Sequence, residues 1–185
     1  MSPPQRRGVY FRRSDYAGAL VRLLIIAVDG AVMVAFSWSR WAVMDDVDIG
    51  TDAFLAIDFT AVFAFAYLYL VEMKRRCGSL GNLVTQTRLV DLSGSRPGIF
   101  PMIYRTGFLL LGPIMLLIDL FWLAGDDHRQ MVRDKMAGIY VVRRKARPDG
   151  EGAIIFSSWM LLGYALLFRE VVRSRSPQPG GESET

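Results

Sequence analysis

Apolar residues in this chain gather into long blocks separated by charged connectors, a pattern of membrane helices rather than of a soluble core. The first block runs from about Ala17 to Trp41 and ends in Trp38 and Trp41, an aromatic pair suited to a membrane–water interface. The second, from about Phe54 to Met73, is about 30 Å long as a helix and stops at Lys74, Arg75 and Arg76. A third covers Ile99 to Leu123 and is interrupted at Gly112-Pro113. The fourth, Ala153 to about Phe168, is shorter and predicts an additional C-terminal membrane helix over about 153–170. Thr87 to Leu92 and Ile139 to Val142 have strand character within polar connectors. The expected fold is an all-α integral membrane protein with four hydrophobic helical segments, the third broken and able to re-enter, and short strand-like segments in the inner loops. A basic tail (1–15) precedes the transmembrane domain (16–172), and a disordered tail (173–185) follows it.

Charge sets the expected orientation. The N-terminal tail carries Arg6, Arg7, Arg12 and Arg13, whereas the first loop, MDDVDIGTD, is acidic. A re-entrant third block places sixteen Lys and Arg residues inside and four outside; a full crossing places twelve inside and eight outside. The positive-inside bias favours re-entry, with the N-terminus cytoplasmic. Gly112-Pro113 supplies a place for the reversal, because proline removes a donor and glycine permits unusual dihedrals. A hairpin broken there brings Arg105 and Asp119 to similar depth, where they can pair.

The ionisable residues inside the blocks are the candidate chemistry. Arg22 and Asp29 lie seven residues apart, so both project from one helix face, about 10 Å apart along the axis. A charge in mid-span costs about 2.5–3.5 kcal/mol on insertion scales and turns toward a partner or water. One reading is an intramembrane site that changes protonation or holds a monovalent cation; the other is a structural ion pair. Asp58 and Glu72 flank Asp29 in depth, and the three carboxylates could form a vertical relay. Asp91 and Asp134 come together on the inner face if the two strand-like segments pair.

Other chemistry is poorly supplied. The acidic cluster Asp45, Asp46, Asp48 and Asp52 resembles a calcium loop, but Ile57 stands where the closing glutamate belongs. A single histidine, His128, and a single cysteine, Cys77, give no metal cage and no disulfide. No catalytic triad or phosphate-loop motif occurs, so neither an enzyme nor a bound cofactor is expected. The net charge of +4 arises from residues flanking apolar segments and points to lipid headgroups, not nucleic acid.

Three stretches resemble the RDD family of small bacterial membrane proteins. YAGALVRLLIIAVDG resembles its first span, with Arg22 and Asp29. CGSLGNLVTQTRLVD resembles its glycine-containing connector, placing Gly78, Gly81 and Asp91. RQMVRDKMAGIYVV resembles its closing motif, placing Arg129, Gln130, Asp134, Ala137 and Gly138, and Arg105 resembles the arginine opening the third block. The resemblance covers about residues 16–143. Asn82, Arg133 and Ile139 depart from the lysine, histidine and threonine common there. Most members of that family are uncharacterised, and some are associated with sodium–proton antiport or other transport. The resemblance implies a multi-pass protein of the bacterial inner membrane. Two roles remain open. One is a homo-oligomeric transporter or transporter component moving protons or cations past Arg22, Asp29, Asp58, Arg105 and Asp119. The other is a non-catalytic scaffold or accessory subunit for a membrane protein partner, its inner face organised by Asp91, Arg129 and Asp134.

Overall fold

The computed structural model describes residues 7–44, 51–126, 128–161 and 164–173. A strand, β1 (Arg7–Tyr10), leads through a 3-10 turn at Arg13–Asp15 into α1 (Ala19–Met44). Helix α2 (Thr51–Ala66) continues through a π-helical stretch, Tyr67–Met73, into the single turn α3 (Lys74–Arg76). Then follow α4 (Leu80–Val84), β2 (Thr87–Asp91), α5 (Ile99–Gly107), α6 (Pro113–Gly125), α7 (Val132–Ala137) and β3 (Ile139–Arg143). Two long strands, β4 (Gly150–Leu161) and β5 (Tyr164–Arg173), end the described chain.

Ala19–Ala42 and Asp52–Val84 are long and apolar enough to cross a membrane. Their outward residues are large and apolar: Val34, Trp38, Phe59 and Phe63 are all exposed, and lipid is the medium that suits them. The two helices meet through Phe36 and Phe65, whose rings stack with centroids 3.8 Å apart.

Below these helices β2 and β3 form an antiparallel pair, with Thr87 opposite Arg143 and Asp91 opposite Ile139. Strand alternation divides β3 between two cores. Tyr140 and Val142 join Phe11, Tyr16, Val90, Leu92 and Val171 on one face. Ile139 and Val141 join Ile25, Val71, Leu89 and Met102 on the other. The β2–β3 ladder therefore fastens the helices above to the sheet below, and Tyr16 adds an antiparallel bridge to Val142.

The third apolar block is broken as its Gly-Pro pair predicts. Gly112 takes φ 71°, a conformation costly for residues with a Cβ, and Pro113 opens α6. The helical segments on either side are bent by 117°. Because β2 precedes this block and β3 follows it, their ladder joins its two flanks.

The all-α expectation fails, and so does the C-terminal helix over 153–170. That block forms the antiparallel pair β4–β5, from Gly152 opposite Arg173 to Leu161 opposite Tyr164, and β1 adds a third strand along β4. Two physical reasons account for this. As a helix, sixteen residues reach only about 24 Å, short of the hydrocarbon core. As a strand, β4 finds hydrogen-bond partners in both β1 and β5, while Val171 seals the lower core. The acidic residues 45–50 and the tail beyond 173 lie outside the described residues.

Candidate functional site

Arg22 and Asp29 do not pair with each other. Each is buried, and each is matched to a residue from a connector. The Arg22 guanidinium donates through Nη1 to Asp134, through Nη2 to the Arg129 carbonyl at 2.9 Å, and through Nε to the Ala17 carbonyl at 3.2 Å. Arg129 reaches that position with φ 48°, so its contribution is made by the main chain.

Asp134 is the hub of this cluster. It sits fully buried on α7, one oxygen taking the Arg22 bond and the other an Nε–H from Arg105 on α5. Burial alone would raise its pKa, but Arg105, Arg22 and Arg133 together outweigh that and hold it well below the usual carboxylate range. Its neighbour Arg133 turns to Asp119 on α6, Nε to Oδ2 at 3.1 Å. Arg105 and Asp119 thus share the same locality as expected, but α7 lies between them. Arg105 pairs with Asp134, and Asp119 pairs with Arg133.

Asp29 is held by four donors. Lys74 Nζ stands 2.5 Å from Oδ2, and Ser79 Oγ donates to Oδ2 at 2.8 Å. Tyr69 Oη donates to Oδ1 at 2.9 Å, and the Gly81 N–H at 3.0 Å. The π-helical stretch explains how Tyr69 and Lys74 reach the same acceptor. The Lys74 N–H bonds the Tyr69 carbonyl, so residues five apart stand one turn apart and face one way. Gly81 lets α4 approach α1: a Cβ there would lie 2.6 Å from the Ile25 carbonyl and 2.9 Å from Asp29 Oδ1.

The remaining candidates are dispersed. Asp58 pairs with Arg40, and Glu72 with Arg75 and Arg76, so neither joins Asp29 in a relay. Asp91 accepts the Ser93 and Ser95 N–H groups and the Ser93 hydroxyl, shaping the turn after β2, while Asp134 is held by Arg22 and Arg105. Asn82 bonds Thr87 Oγ1 at 2.9 Å, and Lys74 supplies the ammonium beside Asp29.

Lys74, Tyr69, Ser79 and Arg133 are site residues that sequence reasoning missed as partners. Lys74 reads as the end of a span, and nothing local announces a π turn. A second buried group was also missed: Lys135 joins Asp126 and lies 3.4 Å from Glu170 on β5, tying the C-terminal hairpin to α7. Among the described residues no cluster of His, Cys, Asp and Glu could hold a metal ion.

Apolar helices joined by buried ion pairs to a small connector module define a membrane-type protein. Residues 16–138 match the RDD family, and the chain belongs to it. No curated protein and no solved structure matches the chain.

Proposed function

We propose that this chain is a non-catalytic membrane scaffold or accessory subunit of the bacterial inner membrane, multi-pass, with its N-terminus and basic connectors on the cytoplasmic side. One observation carries the reading: each candidate carboxylate, in the spans or in the connector beneath them, is matched to a cation. Asp29 has Lys74, Asp58 has Arg40, Asp119 has Arg133, and Asp134 has Arg22 and Arg105. A transport carboxylate must exchange its partner for a proton, an ion or water during a cycle. Carboxylates each already paired with a cation serve better as fasteners. The β2–β3 ladder supports re-entry of the third block, because hydrogen-bonded strands lie on one side of a bilayer, and that in turn supports the orientation given by charge.

The exposed basic residues Arg88, Arg143, Arg144, Lys145 and Arg147 then form a cytoplasmic face suited to anionic headgroups or to an acidic protein surface. The transport reading draws on a cavity of about 190 Å³ bordered by Asp29 and Lys74. Reconstituted vesicles separate the two roles. In vesicles carrying a pH gradient, the scaffold predicts no sodium- or potassium-driven proton flux above empty vesicles. Flux that disappears in Asp29→Asn, with assembly intact, would replace it with transport.

A further inference from the structure

The cavity of about 190 Å³ between α1, the π-helical stretch and α5 has a charged end and an apolar end. At the charged end lie Arg22, Asp29, Lys74, Arg105 and Arg133. One turn further along, Met33 on α1 and Leu109 in the 3-10 turn Phe108–Leu111 that follows α5 line it instead. Charge is not balanced here. The buried cluster sets four cations, Arg22, Lys74, Arg105 and Arg133, against three carboxylates, Asp29, Asp119 and Asp134.

The surplus is visible in the hydrogen bonding. An arginine carries five donors. Arg105, about nine-tenths buried, uses Nε on Asp134, and among the described residues its two Nη atoms donate to nothing. Arg133 spends one Nη on the Met131 thioether at 3.3 Å, a weak acceptor, although it is 5% exposed. Arg105 lines the cavity, so an acceptor entering it can meet the donors left idle on this largely buried guanidinium. The planar fork of arginine fits two oxygens of a phosphate, and a cavity of roughly 150 Å³ already admits a benzene ring, so size is no obstacle.

We propose that this cavity is a binding site for a phosphate-bearing anion, held by Arg105 and Arg133 beside Lys74. The apolar end would receive the first methylenes of an attached chain if the phosphate belongs to a lipid headgroup; a free phosphate would use the charged end alone. The proposal does not depend on the scaffold reading, since an anion in this cluster could complete a fastener or occupy a pathway.

The test is titration calorimetry on the full chain in a non-ionic detergent. The probes are dihexanoyl phosphatidylglycerol, dihexanoyl phosphatidylcholine and inorganic phosphate. Arg105→Lys keeps the charge facing Asp134 but loses the fork, and weakens binding of the anionic probe at least tenfold. Leu109→Trp fills the apolar end without touching an ion pair, which keeps the test valid should Arg105→Lys fail to fold. Phosphatidylglycerol binding that Leu109→Trp abolishes supports the site with a lipid source. Phosphate binding that Leu109→Trp leaves intact supports it with a free anion. Failure of both anionic probes to bind, binding of phosphatidylcholine as tightly as phosphatidylglycerol without any phosphate binding, or wild-type affinity in Arg105→Lys overturns it.

Discussion

Asp134→Asn is the perturbation whose cost the structure defines best. The side chain is fully buried, Arg22 is 2% exposed and Arg105 9%. Each carboxylate oxygen accepts from one guanidinium. Asparagine keeps the shape but offers one acceptor, and its amide must point donors at a guanidinium that is itself only a donor. Two buried arginines then face a neutral group. Breaking a buried pair by neutralising one partner costs about 3–5 kcal/mol. For a chain of this size, 1 kcal/mol corresponds to about 2–4 °C in melting temperature, so the expected loss is about 6–20 °C. Thermal unfolding of purified protein in detergent, followed by circular dichroism, measures it. Asp91→Asn in the exposed turn after β2 is the control and should fall by no more than about 1 kcal/mol. A loss in Asp134→Asn as small as that control's would refute the reasoning, because it would mean that Asp134 is hydrated and not a buried hub.

Four further outcomes follow from the same geometry. Gly81→Ala should lower stability by about 1–3 kcal/mol, because its Cβ meets the Ile25 main chain and pushes the Gly81 N–H from Asp29; an unchanged melt would place α4 away from α1. Lys74→Met should cost about 3–5 kcal/mol by leaving Asp29 charged without its cation, and adding Asp29→Asn should recover part of that loss; strictly additive losses would disconnect the two residues. The depressed pKa of Asp134 contributes stability that is complete above the ordinary carboxylate value of about 4 and disappears as pH falls toward its folded value. Melts between pH 7 and pH 3 should accordingly show an acid-induced loss that is smaller in Asp134→Asn. Finally, Ser158→Cys with Leu167→Cys should form a disulfide readily, since the two are paired neighbours on β4 and β5; a helix would hold them about 14 Å apart.

Much of the upper half of the fold was legible because lipid-facing helices advertise themselves by unbroken apolar length, as α1 and α2 do. The Gly112-Pro113 break was legible for a local reason, a positive φ and a missing N–H in consecutive residues. The β2–β3 pairing was readable too, since Leu89-Val90 and Ile139 to Val142 are apolar runs rich in β-branched and aromatic residues within polar surroundings. The C-terminal hairpin was not. Ala153 to Phe168 is apolar apart from Ser157, Ser158 and Gly163, and a short apolar run does not distinguish strand from helix until its hydrogen-bond partners, here β1 and β5, are known. Site pairing failed for a related reason. Spacing put Arg22 and Asp29 on one face, but two residues on one helix are fixed relative to each other. Their partners come from connectors whose approach depends on Gly81 and on the π turn that carries Tyr69 and Lys74.

The central claim is that Arg22 answers Asp134 while Asp29 answers Lys74, two separate fasteners between membrane helices and connectors. Double-mutant cycles on thermal stability address it most directly, comparing Arg22→Gln with Asp134→Asn and Arg22→Gln with Asp29→Asn. The account predicts a coupling of about 1 kcal/mol or more in the first cycle and near additivity in the second. Strong coupling between Arg22 and Asp29, with none to Asp134, would contradict it.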